Sequence, residues 1–203
     1  MKTSRNIISS LLVAAVSLVA VVGAQAQTSS NNDNNYSTRN SNNRYLDLNV
    51  GTSDFNQNNG SGVYPSDSRY TTYGVHLGAY SDNSNLGLEV GYTDFGRLNR
   101  AGGTTRADGF SLSLVGRIPF GTAFNLMGKV GALYSRTDVS VAPGSGITPG
   151  SEAGFDWTYG VGAEYAVNSK WSAVLQYDEN YLKFAGGSHD RVKVTALGVR
   201  YRY

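Results

Sequence analysis

From Tyr45 onward, apolar and polar residues alternate with period two, which predicts strands with two unlike faces. The first runs from Tyr45 to Thr52, with Leu46, Leu48 and Val50 opposed to Asp47, Asn49 and Gly51. Thr72 to Tyr80, Leu86 to Asp94 and Gly109 to Ile118 follow, and their polar faces carry His76, Glu89 and Arg117. In the fifth, Phe124, Leu126, Val130, Ala132 and Tyr134 oppose Asn125, Lys129 and Gly131. Trp157 to Val167 sets Glu164 against Tyr159, Val161, Ala163 and Tyr165; the seventh sets Asp178 against Trp171, Ala173, Leu175 and Tyr177. The eighth, Val192 to Tyr203, alternates Leu197, Val199, Tyr201 and Tyr203 with Arg200 and Arg202.

The connections suggest the topology. Ser81 to Asn85, Pro119 to Ala123 and Asn168 to Lys170 are short and built of turn residues. Phe55 to Tyr70, Phe95 to Asp108, Ser135 to Asp156 and Asn180 to Arg191 read as longer polar loops. Alternating short and long connections fit an all-β, eight-stranded antiparallel up-and-down transmembrane β-barrel with short periplasmic turns. Strands of about 9–11 residues suit a tilted bilayer crossing.

Periodicity leaves open which face points inward, and a soluble barrel would bury the apolar one. Three features favour lipid outside. The polar face is mostly Gly, Ser and Asn with isolated charges, not the dense Lys and Glu of a solvated exterior. Aromatics gather near strand ends, with Phe124, Tyr165, Trp171 and Tyr203 at one rim and Tyr73, Tyr92, Phe110, Tyr134, Tyr159 and Tyr177 toward the other, as in interfacial girdles. The sequence also ends inside its last strand, which a soluble protein would leave as an aggregating edge.

The N-terminal residues bear on the compartment. Lys2 and Arg5 precede an uncharged apolar run from Ile7 to Val22, and Ala24-Gln25-Ala26 supplies a small-x-small cleavage site. Residues 1–26 are expected to be a signal peptide, 27–43 a disordered Asn/Ser-rich periplasmic leader, and 44–203 the barrel. The sequence has 17 basic and 15 acidic residues; losing Lys2 and Arg5 leaves the mature chain balanced, which argues against nucleic acid as a partner. With no cysteine, disulfides, thiolate chemistry and a lipid-modified N-terminal Cys are excluded.

With the strands in place, the segment Tyr45 to Tyr203 resembles the OmpA-like eight-stranded outer-membrane β-barrel family. The resemblance rests on Tyr45 to Phe55 (YLDLNVGTSDF), Leu86 to Gly96 (LGLEVGYTDFG), Gly128-Lys129-Val130-Gly131 and the final strand. Gly198, Tyr201 and Tyr203 resemble the C-terminal signal read by the barrel-assembly machinery of Gram-negative bacteria. The resemblance implies a monomer in the Gram-negative outer membrane, among lipid and lipopolysaccharide, concerned with envelope integrity, surface contact or limited permeation. The peptidoglycan-binding domain that larger members carry after the barrel is not in this sequence.

The candidate site is the inward face. Asp47, Glu89, Glu164 and Asp178 oppose Arg117, Lys129, Arg200 and Arg202 in an interior that side chains just fill, so these charges must pair. One reading is a salt-bridged plug. The other is a gate in which Glu89, Lys129, Glu164 and Arg117 exchange partners, as proposed for similar barrels; His76 is expected to be a hydrogen-bonded filler. An enzyme is the rival class, since some such barrels modify lipid A. Ser188-His189-Asp190 is the one candidate, and three consecutive residues cannot relay a proton among themselves. Gly160-Val161-Gly162 lacks the third Gly of a nucleotide-binding turn and lies within a strand. No metal-ligand spacing occurs, so no catalysis, cofactor or metal is expected. Arg97, Arg100, Arg106, Lys183, Arg191 and Lys193 lie toward the outer rim, where lipopolysaccharide phosphates are the natural neighbours.

Overall fold

In a computed structural model the described residues are 43–55, 69–82, 84–100, 103–141, 150–183 and 189–203. They form eight strands: β1 Arg44–Phe55, β2 Arg69–Tyr80, β3 Leu86–Arg100, β4 Gly103–Phe120, β5 Phe124–Val141, β6 Gly150–Ala166, β7 Trp171–Lys183 and β8 His189–Arg202. Each pairs antiparallel with its sequence neighbours, and β8 returns to β1 to close the barrel. The expected signal peptide and leader lie outside the described residues, apart from Asn43.

The register fixes the size of the cylinder. A path crossing the strands at right angles runs Tyr45, Gly78, Glu89, Ser113, Gly131, Thr158, Asn180 and Val192. It comes back to β1 at Phe55, ten residues beyond Tyr45. Closing eight strands with that stagger tilts them by roughly 35–45° and leaves an interior that side chains fill. The same path climbs from the charged floor of the lumen to its apolar mouth.

The strands are 12 to 18 residues long, well beyond the expected crossing. Most of the segments expected as loops are strand: β3 continues to Arg100, β4 starts at Gly103, β5 runs to Val141 and β6 starts at Gly150. The cause is a reversal of polarity. Past the aromatic rim the outward positions become polar, so a pattern keyed to outward apolar residues ends while the hydrogen-bonded ladder continues.

Local chemistry accounts for the ends and irregularities. In the β6–β7 turn, Asn168 Oδ1 accepts hydrogen bonds from the backbone N–H of Lys170 (2.9 Å) and Trp171 (2.8 Å). Gly121 supplies the positive φ of the β4–β5 turn, 67°. In β3 the register shifts between Asp94 and Gly96, where Gly96 has φ 90°. Phe95, on the inward parity of Glu89, is the extra residue of this bulge and is buried in the lumen. Two inward hydroxyls take up nearby carbonyls, Ser53 Oγ donating to Phe95 O (2.6 Å) and Thr72 Oγ1 to Asp94 O (2.7 Å).

The β6–β7 ladder stops at Thr158 opposite Asn180, although both strands continue. There β7 is drawn inward: Thr137 Oγ1 of β5 donates to Lys183 O of β7 at 2.8 Å, across the intervening strand. Leu182 is thereby carried into the mouth of the barrel, where it is wholly buried.

Candidate functional site

Inward glycines make room for the lumen side chains. A Cβ on Gly78 would lie 2.2 Å from the Tyr45 ring, one on Gly91 2.1 Å from His76, and one on Gly160 1.9 Å from Asp178. These glycines oppose large polar or aromatic groups because the cylinder is too narrow for two full side chains at one level.

All seven expected network residues, Asp47, Glu89, Arg117, Lys129, Glu164, Asp178 and Arg200, point into the lumen, with Arg202 beside them. Arg200 is the hub. It meets Asp47 at 2.9 Å, Glu164 at 3.5 Å and Glu89 at 3.9 Å, so one guanidinium on β8 links β1, β3 and β6. Arg202 pairs with Glu164 as well. Lys129 sits between Asp178 (3.0 Å) and Glu89 (3.7 Å), joining β5 to β7 and β3. Lys129 and Glu164, two members of the expected exchanging set, do not form a pair; Glu164 is held from below by Arg200 and Arg202. Arg117 lies over the Tyr80 ring, 4.2 Å from its centroid.

Several members escaped the sequence reading. Tyr45, wholly buried, donates its hydroxyl to Glu89 Oε2 at 2.7 Å and presents its ring to Arg200, 3.9 Å from the centroid. Met127 Sδ lies 3.1 Å from Arg200 Nη1, and Asn125 donates to Glu164 at 3.3 Å. Tyr45 and Tyr80 were findable by parity, since Tyr45 is two residues from Asp47 and Tyr80 two from Gly78. Above the charges is a neutral polar belt. Asn49 Nδ2 lies 3.1 Å from His76 Nδ1 and 3.1 Å from Gln176 Oε1, so His76 is the hydrogen-bonded filler expected.

A small cavity of about 20 Å³ lies inside the charged level, lined by Tyr45, Tyr80, Glu89, Lys129, Asp178 and Arg200 among others. Of the residues that line it, Asp178 Oδ1, Tyr80 OH and Arg200 Nε are buried without a hydrogen-bond partner in the protein.

The outer third of the lumen holds an apolar cluster, interleaved with the buried polar side chains of Ser53, Thr72, Ser135 and Thr137. Phe55, Phe95, Ala107, Leu133, Leu182, Val192, Val194 and Ala196 form one buried cluster, with Tyr70 packed against it. These come from every strand except β6, so the cluster crosses the barrel as a septum. It was not foreseen, because Phe55, Phe95 and Leu182 fell in segments expected as loops.

The outer surface is apolar at the lower level and charged above it. Leu114, Val130, Leu197 and Val199 are exposed side chains of the wall, and Leu197 is 64% exposed. Phe124, Tyr165, Trp171 and Tyr203 ring the short-turn end, with Trp171 4.8 Å from Tyr201. At the other rim, Tyr92 and Phe110 pack at 4.9 Å, as do Tyr134 and Phe155. Above it, Arg106 pairs with Asp94 at 3.5 Å and Arg191 with Glu179 at 3.1 Å, while Arg97 is exposed. These cations stand on strands and not on loops; β3 ends at Arg100.

Gly198 has a packing reason of its own. A Cβ there would lie 2.9 Å from both Asn49 Cβ and Leu48 O and 3.0 Å from Asp47 Oδ1. Of Ser188-His189-Asp190, Ser188 lies outside the described residues, and His189 and Asp190 open β8. Among the described residues no group of three His, Cys, Asp or Glu could hold a metal ion.

Comparison with known proteins agrees with this architecture. No curated protein matches the chain by sequence. The fold is similar to that of Neisserial surface protein A, with 15% identity and TM-score 0.58 over 79% of this chain and 97% of that one. The N-terminal β-barrel domain of Pseudomonas aeruginosa OprF aligns with 15% identity and TM-score 0.53, over 79% and 98%. Ail, the attachment invasion locus protein of Yersinia pestis, in complex with the heparin analogue sucrose octasulfate, aligns with 16% identity and TM-score 0.50, over 79% and 99%. Residues 12–203 match the outer membrane protein β-barrel domain family, and the chain therefore belongs to that family of the Gram-negative outer membrane.

Proposed function

We propose that this protein is a structural and surface barrel of the outer membrane, contributing to envelope integrity or surface interaction without catalysis. The observation that carries the reading is the lumen network. Asp47, Glu89, Lys129, Glu164, Asp178, Arg200 and Arg202 tie six strands together across the axis through alternating acids and bases. Such a network braces the wall from within. The exposed cations of the outer rim, Arg97 and Arg106, support contact with lipopolysaccharide phosphates or another polyanion; the Yersinia neighbour was solved with a sulfated sugar. The alternative, a narrow and mostly closed channel for small or amphipathic solutes, draws on the same charges acting as a latch.

The refolded chain in a planar bilayer is expected to pass no steady current, and Lys129→Ala is expected to unfold at lower denaturant, since it strands Asp178 and Glu89. A steady current through the parent protein, or longer openings in Lys129→Ala with unchanged stability, would transfer the reading to the channel.

Gly198, Tyr201 and Tyr203 are proposed to be read by the barrel-assembly machinery, and the barrel to act as a monomer. In cells, Tyr203→Asp should reach the periplasm yet fail to give a heat-modifiable, protease-resistant barrel. Normal insertion of that variant would remove the signal role and leave Gly198 with its packing role alone.

A further inference from the structure

We infer that the barrier to passage through this barrel is the apolar septum at its outer mouth, and that the charged level beneath it is hydrated. The inference goes beyond the proposed function by locating the closure, and it rests on two separate observations.

The first is the composition of the septum. Phe95, Leu182 and Val192 are wholly buried, and Phe55, Leu133 and Val194 nearly so. Their side chains offer no donor or acceptor to replace the hydration shell of a solute, and the hydroxyls of Ser53, Thr72 and Thr137 beside them already donate to backbone carbonyls. A constriction of this kind stops ions by dewetting, without any charge to exclude them. The second is the chemistry below. The charged level contains the cavity of about 20 Å³, and Asp178 Oδ1, Tyr80 OH and Arg200 Nε, from residues that line it, lack protein partners. A space that size accepts a water, and the polar lining residues Glu89, Lys129, Asp178 and Arg200 offer it both acceptors and donors. A fixed ion suits the cavity less well, because Lys129 and Arg200 face Glu89 and Asp178 across it in equal charge. The network is thus a wet brace, and the septum is the dry layer.

The test compares ion flux in liposomes for the parent, Leu182→Ala, the double variant Val192→Thr with Val194→Thr, and Lys129→Ala, each first checked as folded by heat-modifiable mobility. Threonine keeps the volume of valine while wetting the septum, so the double variant reads the barrier even if Leu182→Ala does not fold. Septum variants are expected to raise flux by about tenfold or more, with Lys129→Ala within about twofold of the parent. Water-edited NMR of the parent should give rapid magnetisation transfer to Arg200 Nε–H and little to the methyl groups of Leu182 and Val192. A rise in Lys129→Ala equal to or larger than that in the septum variants would overturn the inference. So would no rise in the septum variants, or water contact at the septum methyls with a dry Arg200. A parent that already conducts would defeat the closed-barrel function; the ratio among variants would still judge the septum.

Discussion

In the lower barrel the strands turn Leu48, Leu114, Val130 and Leu197 outward and Asp47, Glu89, Lys129 and Arg200 inward. Toward the outer mouth the same strands turn Thr52, Arg106, Arg136 and Lys193 outward and Phe55, Ala107, Leu133 and Val194 inward. Parity along each strand is the same in both regions; what reverses is the medium outside. Where lipid surrounds the wall, apolar groups gain nothing by facing inward, and the polar groups collect in the lumen. Where water surrounds it, the ordinary rule returns and the interior becomes a small apolar core. The comparison teaches that an inward charge and an inward phenylalanine on neighbouring turns of one path are both answers to burial.

The sharpest way to break the comparison is to remove the hub of the lower region. Arg200→Ala leaves Asp47 without its ion pair and weakens Glu89 and Glu164, and should cost about 3–5 kcal/mol by denaturant unfolding in lipid. Survival of full stability would mean the charges are solvated independently. Next, Arg introduced at Leu88 or Val130 should cost about 2–4 kcal/mol if those positions face mid-bilayer. The same change at Thr52, outward but above the rim, should fall within about 0.5 kcal/mol. Equal costs at the two heights would erase the boundary between the regions. In the septum, Leu182→Ala should cost about 2–3 kcal/mol, at the low end for a buried leucine because β7 is free of β6 there and can relax. Leu197→Ala on the lipid face should cost much less, since lipid refills the space. Tyr45→Phe should lose about 1.5 kcal/mol, the worth of a hydrogen bond to a charged acceptor that keeps its lysine. Smallest of all, Arg106→Ala removes an exposed pair and should change stability by less than about 1 kcal/mol, less still in high salt.

Much of this was legible in the chain. The eight strands, their order and the inward parity of the charged residues follow from period-two counting, because an apolar outward face and a charged inward one give that pattern its contrast. The counting stopped where the contrast inverted. Carrying parity forward from Asp47 reaches Phe55, from Lys129 reaches Leu133, and from Asp178 reaches Leu182, each inward as observed. Phe95 shares parity with Glu89, but the bulge at Gly96 shifts every residue after it, which no alternation rule anticipates. Individual pairings were less accessible. Lys129 is level with Gly160 and, one strand further, with Asp178, whereas Glu164 lies opposite Asn125, four residues lower; that register belongs to the strand pairing and not to any one strand.

The position of Arg200 on the last strand has a kinetic side. Its bond to Asp47 spans 153 residues of sequence, and Arg202 reaches Glu164 from the same strand. Until β8 docks, Asp47, Glu89, Glu164 and Asp178 have only Arg117 and Lys129 as lumen cations, and the half-made sheet carries surplus negative charge on its concave side. Docking of β8 is therefore the moment of neutralisation. Seven-stranded intermediates should repel their own carboxylates and stay splayed, and the final strand should snap in cooperatively, with no stable, nearly closed state before it.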